Sequence, residues 1–456
     1  MKIIILFFFF IVVAMILAMK GAQRTTWLFA GLFILTDIIY IGPINAYTLY
    51  LTAFFASLYI HGEIKQAWNK FPFKAILCIL FLLHVAVVLF DGRINDDPIK
   101  AFSRIFNNFV PRYAALFIGY AALSNLKEWR NTIIPLFAIF AFMGIYGFIT
   151  WIAQENPYYE MMTEIFKGKT GIWTEVQSRG YRVMSTLTNP IVYGFVMCMV
   201  GFLVLLWRKS MDIALWSGLM SLTVLNVFLA NSRTGIVSGV ILVFLFLLSK
   251  YRLSWRMYAS IAVCIFTLSI AYFFIPQIHH VTDSVIDIFT SGGNHTEGSD
   301  MALKYNQLKA SMYFFARAPF FGNGFHFFQE VILDKDLSYT GGYLGGMEGF
   351  GYKLLVEEGL FMILGVTIFF FSLCFYFFNR RYLGDYAHAG IAWTLSFLVF
   401  ILFTGDYGGI FTIGMILIGM LLKFIQQYEI LYLDTCLQCS RIHRTMLEQH
   451  SGTDNN

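Results

Sequence analysis

Three arginines lie beside long apolar runs, where a charged side chain is unusual. Arg179 and Arg182 precede a Thr-Asn-Pro segment that ends at Pro190, and a new apolar run follows it directly. Arg233 lies in a Ser-Arg-Thr-Gly turn between two such runs. Because arginine costs about 2.5–3.5 kcal/mol at the centre of a membrane helix, it should face a wet cavity or an anion. The planar guanidinium binds phosphate with two parallel hydrogen bonds, so these positions predict an anion site.

A fourth arginine and a glutamate belong to a long polar segment before a later apolar run. Arg317 is followed by a glycine-rich stretch that includes Gly322 and Gly324. Glu348 lies among glycines, just before the run that starts near Phe350. A carboxylate at the mouth of a membrane helix can serve as a general base toward a bound substrate.

Each of these residues also has an ordinary structural interpretation. Interfacial arginines commonly extend toward lipid headgroups, which applies to Arg179 and Arg182 more than to Arg233 in its turn. The Gly-Asn-Gly stretch is equally typical of a plain loop. Glu348, taken alone, is more typical of a solvated loop acid. Local sequence leaves these alternatives open.

The composition identifies the elements that hold these residues. Of 456 residues, 58% are hydrophobic and 13% are charged, whereas soluble domains have about one half and one quarter. Apolar runs of about 16–22 residues recur along the chain, each long enough to cross the hydrocarbon core of a bilayer. They are apolar on every face, which predicts helices rather than barrel strands. We therefore expect an all-α polytopic membrane protein with about 12–14 transmembrane helices.

The apolar runs and the polar segments between them divide the chain. The candidate spans are residues 3–19, 27–42, 44–60, 75–90, 113–126, 131–152, 190–207, 211–230, 235–249, 257–275, 351–378, 389–404 and 408–425. We expect N-terminal transmembrane helices (1–152), an external loop with Arg179 and Arg182 (153–189), transmembrane helices with the Ser-Arg-Thr-Gly turn (190–275), a large external loop (276–350), C-terminal transmembrane helices (351–425) and a cytoplasmic tail (426–456).

Charge fixes the expected orientation. Clusters of Lys and Arg fall on one side of the membrane if the spans alternate, and such clusters favour the cytoplasm. The opposite side then receives three loops, residues 91–112, 154–189 and 276–350. Within the last of these, the spacing of Leu303, Leu308 and Met312 predicts an amphipathic helix near the membrane surface.

In order, these segments resemble the O-antigen ligase and polymerase superfamily of bacterial envelope glycan assembly. The resemblance covers roughly residues 180–365. It rests on Arg182 with the Thr-Asn-Pro segment, the Ser-Arg-Thr-Gly turn, the Pro-Phe-Phe-Gly-Asn-Gly stretch and a Glu-x-Gly-Leu helix start at Glu357. Each segment alone is weakly specific, but their order and the large loop before the last one make the combination fairly specific.

One departure from the ligase pattern favours a polymerase. In ligases of this superfamily a His-Asn pair stands eleven residues before the glycine of the helix start, and the histidine is proposed as the base. Counting back from Gly359 leads to Glu348, which is followed by glycine. Polymerases of the Wzy type vary more here and often carry an acid.

The resemblance implies a reaction and a location. Its members suggest a GT-C-like membrane glycosyltransferase in the bacterial inner membrane, with the active site facing the periplasm. The implied substrate is an undecaprenyl pyrophosphate-linked oligosaccharide, joined to others to make a surface polysaccharide. Arg233, Arg182, Arg317 and Arg179 would then bind the diphosphate, and Glu348 would be the catalytic base. A protein that regulates chain length is a further implied partner, beside membrane lipid, and nucleic acid is not expected.

Two other functions remain as alternatives. A ligase would transfer glycan to lipid A core or to protein, and Glu348 in place of histidine separates it from a polymerase. A flippase for the same lipid-linked glycan also has many spans, but the chain shows no internal repeat and has a long external loop. We expect no cofactor and no metal, because the lipid diphosphate is already activated and the histidines and cysteines have no compact ligand spacing.

Overall fold

The computed structural model describes most of the chain. Its described residues are 2–35, 39–42, 44–94, 97–123, 126–166, 181–251, 301–332, 349–406 and 409–451, together with Tyr258, Asp283, Asp287 and Thr290.

Helices dominate the first part of the chain, with one small hairpin. The helices are α1 (Lys2–Ala18), α2 (Gly21–Ile34), α3 (Ala46–Ile60), α4 (Ile64–Lys70), α5 (Lys74–Leu89), α6 (Pro98–Phe109), α7 (Ala115–Ala121), α8 (Leu126–Ala153) and α9 (Pro157–Ile165). The strands β1 (Tyr40–Ile41) and β2 (Ile44–Asn45) pair antiparallel. A π-helical turn, Val110–Ala114, joins α6 to α7.

Helices also make up the second part. They are α10 (Pro190–Leu206), α11 (Ile213–Leu229), α12 (Arg233–Tyr251), α13 (Met301–Phe315), α14 (Phe350–Lys353), α15 (Gly359–Asn379), α16 (Asp385–Thr404) and α17 (Ile410–Ser451). Two further π-helical segments are Phe328–Ile332 and Leu354–Glu358.

The described helices confirm an all-α polytopic membrane protein. Five stretches are long and apolar enough to cross a bilayer, namely Trp129–Ala153, Arg233–Tyr251, Phe350–Asn379, Asp385–Thr404 and Ile410–Asp434. The pair α4 and α5, bent by 102°, forms a sixth if it counts as one span. Four shorter apolar helices, α1, α3, α10 and α11, accompany them. The predicted span at 257–275 lies outside the described residues.

The core centres on α17, whose apolar stretch is 89% buried. It packs against the short α7 with backbone touching backbone. A Cβ added to Gly119 would lie 2.1 Å from the carbonyl oxygen of Ile416, and one added to Gly419 would lie 2.2 Å from that of Leu116. Glycines allow helices in membranes to approach this closely, so these two positions determine the central contact.

Three details of the sequence prediction were wrong. The span predicted over 27–42 is broken, because α2 ends at Ile34 and Gly42, at φ +60, turns the hairpin that follows. The span predicted over 113–126 does not form a separate helix, because α7 continues α6 through the π-helical turn, ends at Ala121 and is buried within the bundle. The predicted loop 91–112 contains α6, which Asp97 caps by accepting hydrogen bonds from two backbone N–H groups at its start.

The helix predicted within 276–350 is present as α13, but its apolar residues are not gathered on one face. Gln307, Ser311 and Phe314 are buried, whereas Leu308 and Met312 are exposed. The face that meets the rest of the protein is therefore partly polar, and the outward face is mixed, since it also exposes Lys309.

Several helix ends meet at one end of the bundle. α12 and α16 run antiparallel, because Ser396 Oγ donates to the Ser238 carbonyl while Ser249 lies beside His388 at the far end. Phe195, near the start of α10, stacks on Phe400, near the end of α16, with ring centres 4.1 Å apart. We call the end that holds the starts of α10 and α12 and the end of α16 the site end.

Candidate functional site

Arg182 and Arg233 both belong to the site end. Arg182 is 8% exposed and precedes α10, whereas Arg233 is half-buried and is the first residue of α12. The segments that carry them are in direct contact, because the Val183 N–H donates to the Leu229 carbonyl at 3.1 Å. A Cβ added to Gly194 would lie 3.4 Å from the Ser232 side chain, so α10 and the turn before α12 pack closely.

The helix starts at the site end also favour an anion. Asn189 caps α10 by accepting from the Ile191 N–H at 2.8 Å, and Pro190 fills the first helical position. The Ser232 hydroxyl accepts from the Gly235 N–H at 3.1 Å at the start of α12. Because helix N-termini carry partial positive charge, the starts of α10 and α12 favour an anion at this end.

The glycine-rich segment after Arg317 docks onto the start of α15. The Asn323 N–H donates to the Val356 carbonyl at 2.8 Å, and the Gly324 N–H donates to the Glu357 carbonyl at 3.0 Å. The Leu360 N–H donates back to the Pro319 carbonyl at 2.8 Å. Two segments that are nearly forty residues apart therefore pair through their backbones like strands.

Glycine is required on both sides of this contact. Gly322 has φ +72, and a Cβ there would lie 2.3 Å from the Glu357 carbonyl. Gly359 has φ +76, and a Cβ there would lie 2.4 Å from the Gly322 backbone nitrogen. Other residues resist both the left-handed conformation and the close approach. The glycines of the resembling motifs therefore have a structural role.

A network of charges ties the start of α6 to the same region. Arg104, which is 3% exposed, pairs with Asp91 at 3.1 Å and with Glu330, and its Nη1 donates to the Phe325 carbonyl at 2.8 Å. Arg93 pairs with Asp91 at 2.8 Å. Burial disfavours the charged form of Glu330, but hydrogen bonds from Arg104 and Lys100 and their charges outweigh this and lower its pKa.

A second, largely buried cluster surrounds Arg112, in which Glu358 is fully buried and Asp406 is partly exposed. Arg112 Nε donates to Asp406 at 2.7 Å and its Nη1 donates to Glu358 at 2.8 Å. The second oxygen of Glu358 lies 4.0 Å from His84 Nε2. Buried charges inside a membrane protein are expensive and commonly mark functional regions.

The profile of a family described as O-antigen ligase matches residues 218–361. This stretch is similar to that family, which supports the resemblance to the O-antigen ligase and polymerase superfamily. The match supports a role in the assembly of O-antigen or a similar polysaccharide by a membrane glycosyltransferase-like enzyme. No curated protein matches the chain.

The superfamily match includes three of the four segments on which the resemblance rested. Residues 218–361 contain the turn at Arg233, the Gly322 segment and the helix start at Glu357. The structure brings the last two into direct backbone contact. Arg182 precedes the matched stretch, but its segment packs on Leu229 within it.

The other predicted site residues have different positions. Arg179 and Glu348 lie outside the described residues. Gly349, which follows Glu348, is described, and a Cβ there would lie 2.8 Å from the Leu402 carbonyl at the site end. Arg317 is exposed, with its guanidinium 4.4 Å from the ring centre of Tyr313, to whose hydroxyl it donates.

Sequence reasoning missed the charged residues of the N-terminal half. Asp91, Arg104 and Arg112 were assigned to an external loop, although each contacts the superfamily stretch or the turn near it. One signal was available for α6, because Asp97-Pro98 is a strong helix start. The partners of Arg112 had no local signal, since Glu358 and Asp406 are remote in sequence.

Proposed function

We propose that this protein polymerises undecaprenyl pyrophosphate-linked oligosaccharide repeat units into a surface polysaccharide. The reaction takes place at the periplasmic face of the bacterial inner membrane, where the lipid tail stays in the bilayer and the diphosphate and sugars lie at its surface. Arg233, Arg182, Arg317 and Arg179 bind the donor diphosphate. Glu348 is the general base.

The chemistry follows from these roles. Glu348 takes the proton from the attacking hydroxyl of the acceptor unit as that oxygen forms a bond to the anomeric carbon of the donor. The bond between this carbon and the phosphate oxygen breaks, and its electron pair leaves with undecaprenyl pyrophosphate. Guanidinium groups stabilise the charge that develops on this leaving group. The bond to the lipid diphosphate supplies the energy, so no nucleotide sugar takes part.

One observation carries this proposal. Gly349, bonded to Glu348, packs against Leu402 in the last turn of α16, and the start of α12 with Arg233 lies beside that same end of α16. A base and a diphosphate-binding arginine at one end of the bundle suit a reaction between two lipid-linked substrates. The electropositive helix starts of α10 and α12 favour the donor anion there.

The choice of polymerase over ligase depends on Glu348. A ligase of the superfamily would have histidine at this position, whereas this chain has glutamate followed by glycine. A ligase that transfers glycan to lipid A core or to protein is therefore the second candidate, favoured by the family description alone.

The base can be tested by replacing Glu348→Gln in cells that make the polysaccharide. We expect chain extension to stop while the protein accumulates normally, because glutamine keeps the shape but cannot accept the proton. The matched control is Glu429→Gln, which removes a carboxylate that pairs with Arg380 and should leave chain length unchanged. Long chains in the Glu348→Gln strain would remove Glu348 from the catalytic role.

A further inference from the structure

Arg112 joins two segments that are remote in sequence. Its side chain is 3% exposed and donates to Glu358 at 2.8 Å and to Asp406 at 2.7 Å. Its guanidinium also lies 5.2 Å from the ring centre of Phe350. One side chain therefore contacts both ends of the segment 350–358 and the turn that follows α16.

This segment is the continuation of the chain from Glu348. Gly349 has φ +116, and its backbone is pressed against the Leu402 carbonyl in α16. α16 ends at Thr404, two residues before Asp406. Gly349 contacts α16, and Arg112 pairs with the segment that follows Gly349 and with the turn that follows α16. Arg112 therefore holds the two parts of this contact together.

The surroundings of Glu358 make Arg112 hard to replace. Glu358 is fully buried, and its Oε2 has no hydrogen-bond partner among the described residues. The same oxygen lies 4.0 Å from Nε2 of His84, whose ring is held through Nδ1 by the Leu80 carbonyl at 2.7 Å. Buried ion pairs stabilise proteins little compared with apolar packing, so stability alone does not account for this one.

We propose that Arg112 is a positioning residue for glycan transfer. It locks the segment 350–358 to the turn after α16 and thereby fixes Gly349, the residue that follows Glu348 in the chain, against the end of α16. The inference rests on the proposed polymerase function. Lysine at position 112 keeps the positive charge but, as a single ammonium group, cannot bridge two carboxylates with the geometry of a guanidinium fork.

The test compares two buried arginines in the same protein. Arg24 is 1% exposed, pairs with Glu63 at 2.6 Å and lies 4.6 Å from the ring centre of Phe54. Arg24 lies near the start of α2. The end of α2 that is near the site end is the opposite one, where the Thr186 hydroxyl donates to the Phe33 carbonyl at 2.6 Å. Arg24→Lys is therefore a control for the loss of a buried arginine away from the site end.

Both variants are measured in purified form in lipid nanodiscs with a synthetic lipid-linked repeat unit. We expect Arg112→Lys to lower kcat by up to about 100-fold, because small displacements of a reacting group have effects of that size. Its KM for the donor should stay within about twofold, since the interaction lost acts on the transition state. Arg24→Lys should keep kcat, although both variants melt at lower temperature.

The outcomes separate the two proposals. If the wild type extends chains and Arg112→Lys has the kcat of Arg24→Lys, or loses only donor affinity, the positioning role is wrong. If the wild type does not extend chains, the polymerase function itself fails. Where Arg112→Lys does not accumulate, Asp406→Asn removes the more exposed partner of Arg112, and the same loss of kcat is expected from it.

Discussion

At the scale of single residues, the chemistry depends on arginine geometry. Arg233 begins α12 beside the closely packed start of α10, where the ends of several helices meet. A guanidinium group there can donate two parallel hydrogen bonds to one phosphate, which an ammonium group cannot do. The charge alone is therefore insufficient for the proposed role.

Replacing Arg233→Lys tests this distinction. We expect a severe loss of long chains at normal protein level, visible as short glycan on a gel of surface polysaccharide. Arg208→Lys is the control, because Arg208 is exposed and lies over the Trp216 ring between α10 and α11, away from the site end. Wild-type chain length in the Arg233→Lys strain would make Arg233 a structural residue.

Glu330 gives a prediction about pH and stability. Its pKa lies below the ordinary value of 4.5 in the folded protein, so its ion pairs stabilise the fold above that pH and are lost as the pH falls through the lowered value. Glu330→Gln should therefore be less stable than the wild type at neutral pH, and the difference should narrow in acid. Thermal unfolding of the wild type and of Glu330→Gln from neutral to acid pH measures this difference in stability. A difference that does not change with pH would contradict the lowered pKa of Glu330.

Sequence alone singled out two of the candidate site residues for a physical reason. Arg233 and Arg182 are conspicuous because they interrupt apolar segments, where charge is costly. Arg112 contacts Glu358 and Asp406, which lie 246 and 294 residues further along the chain. Only tertiary structure could bring them together.

At the scale of elements, the glycine segment and the start of α15 form one unit. A Cβ at Gly322 would meet the Glu357 backbone at 2.3 Å, and backbone atoms cannot move aside as a flexible side chain can. This contact fixes the helix that leads from Glu348 into the membrane.

Gly322→Ala should therefore destabilise the protein strongly. We expect about 1–2 kcal/mol from the left-handed backbone and about 1–3 kcal/mol more from overpacking. The control is Gly62→Ala, since Gly62 has φ +71 against +72 for Gly322 but nothing within 4 Å of an added Cβ. Thermal unfolding measures the loss of stability in each variant. Equal losses in Gly322→Ala and Gly62→Ala would show that the close contact at Gly322 does not contribute to stability.

Element positions were predicted well where apolar length decided them. The predicted spans 131–152 and 389–404 correspond to α8 and α16. Prediction failed between spans, where α6 formed from a segment taken as loop, and at α7, where seven helical residues fill a place in the core. Apolar runs predict burial, but they do not distinguish a span from a short helix packed inside the bundle.

At the scale of the whole molecule, the helix ends that carry the candidate site residues lie at one end of the bundle. α17 forms the buried centre, and α10, α12, α14 and α16 all bring an end to the same side of the bundle. The matched stretch supplies α12 and α14, and the N-terminal half supplies Arg104 and Arg112, which form ion pairs with residues of that stretch. The charge pattern of the loops predicts that this end faces the periplasm.

The central claim is that this protein joins repeat units. The most direct measurement is gel profiling of the surface polysaccharide from a deletion strain, with the gene restored on a plasmid as the control. The account predicts lipid A core bearing a single repeat unit in the deletion strain and a full ladder after restoration. Loss of every repeat unit would contradict it and indicate the ligase or flippase instead.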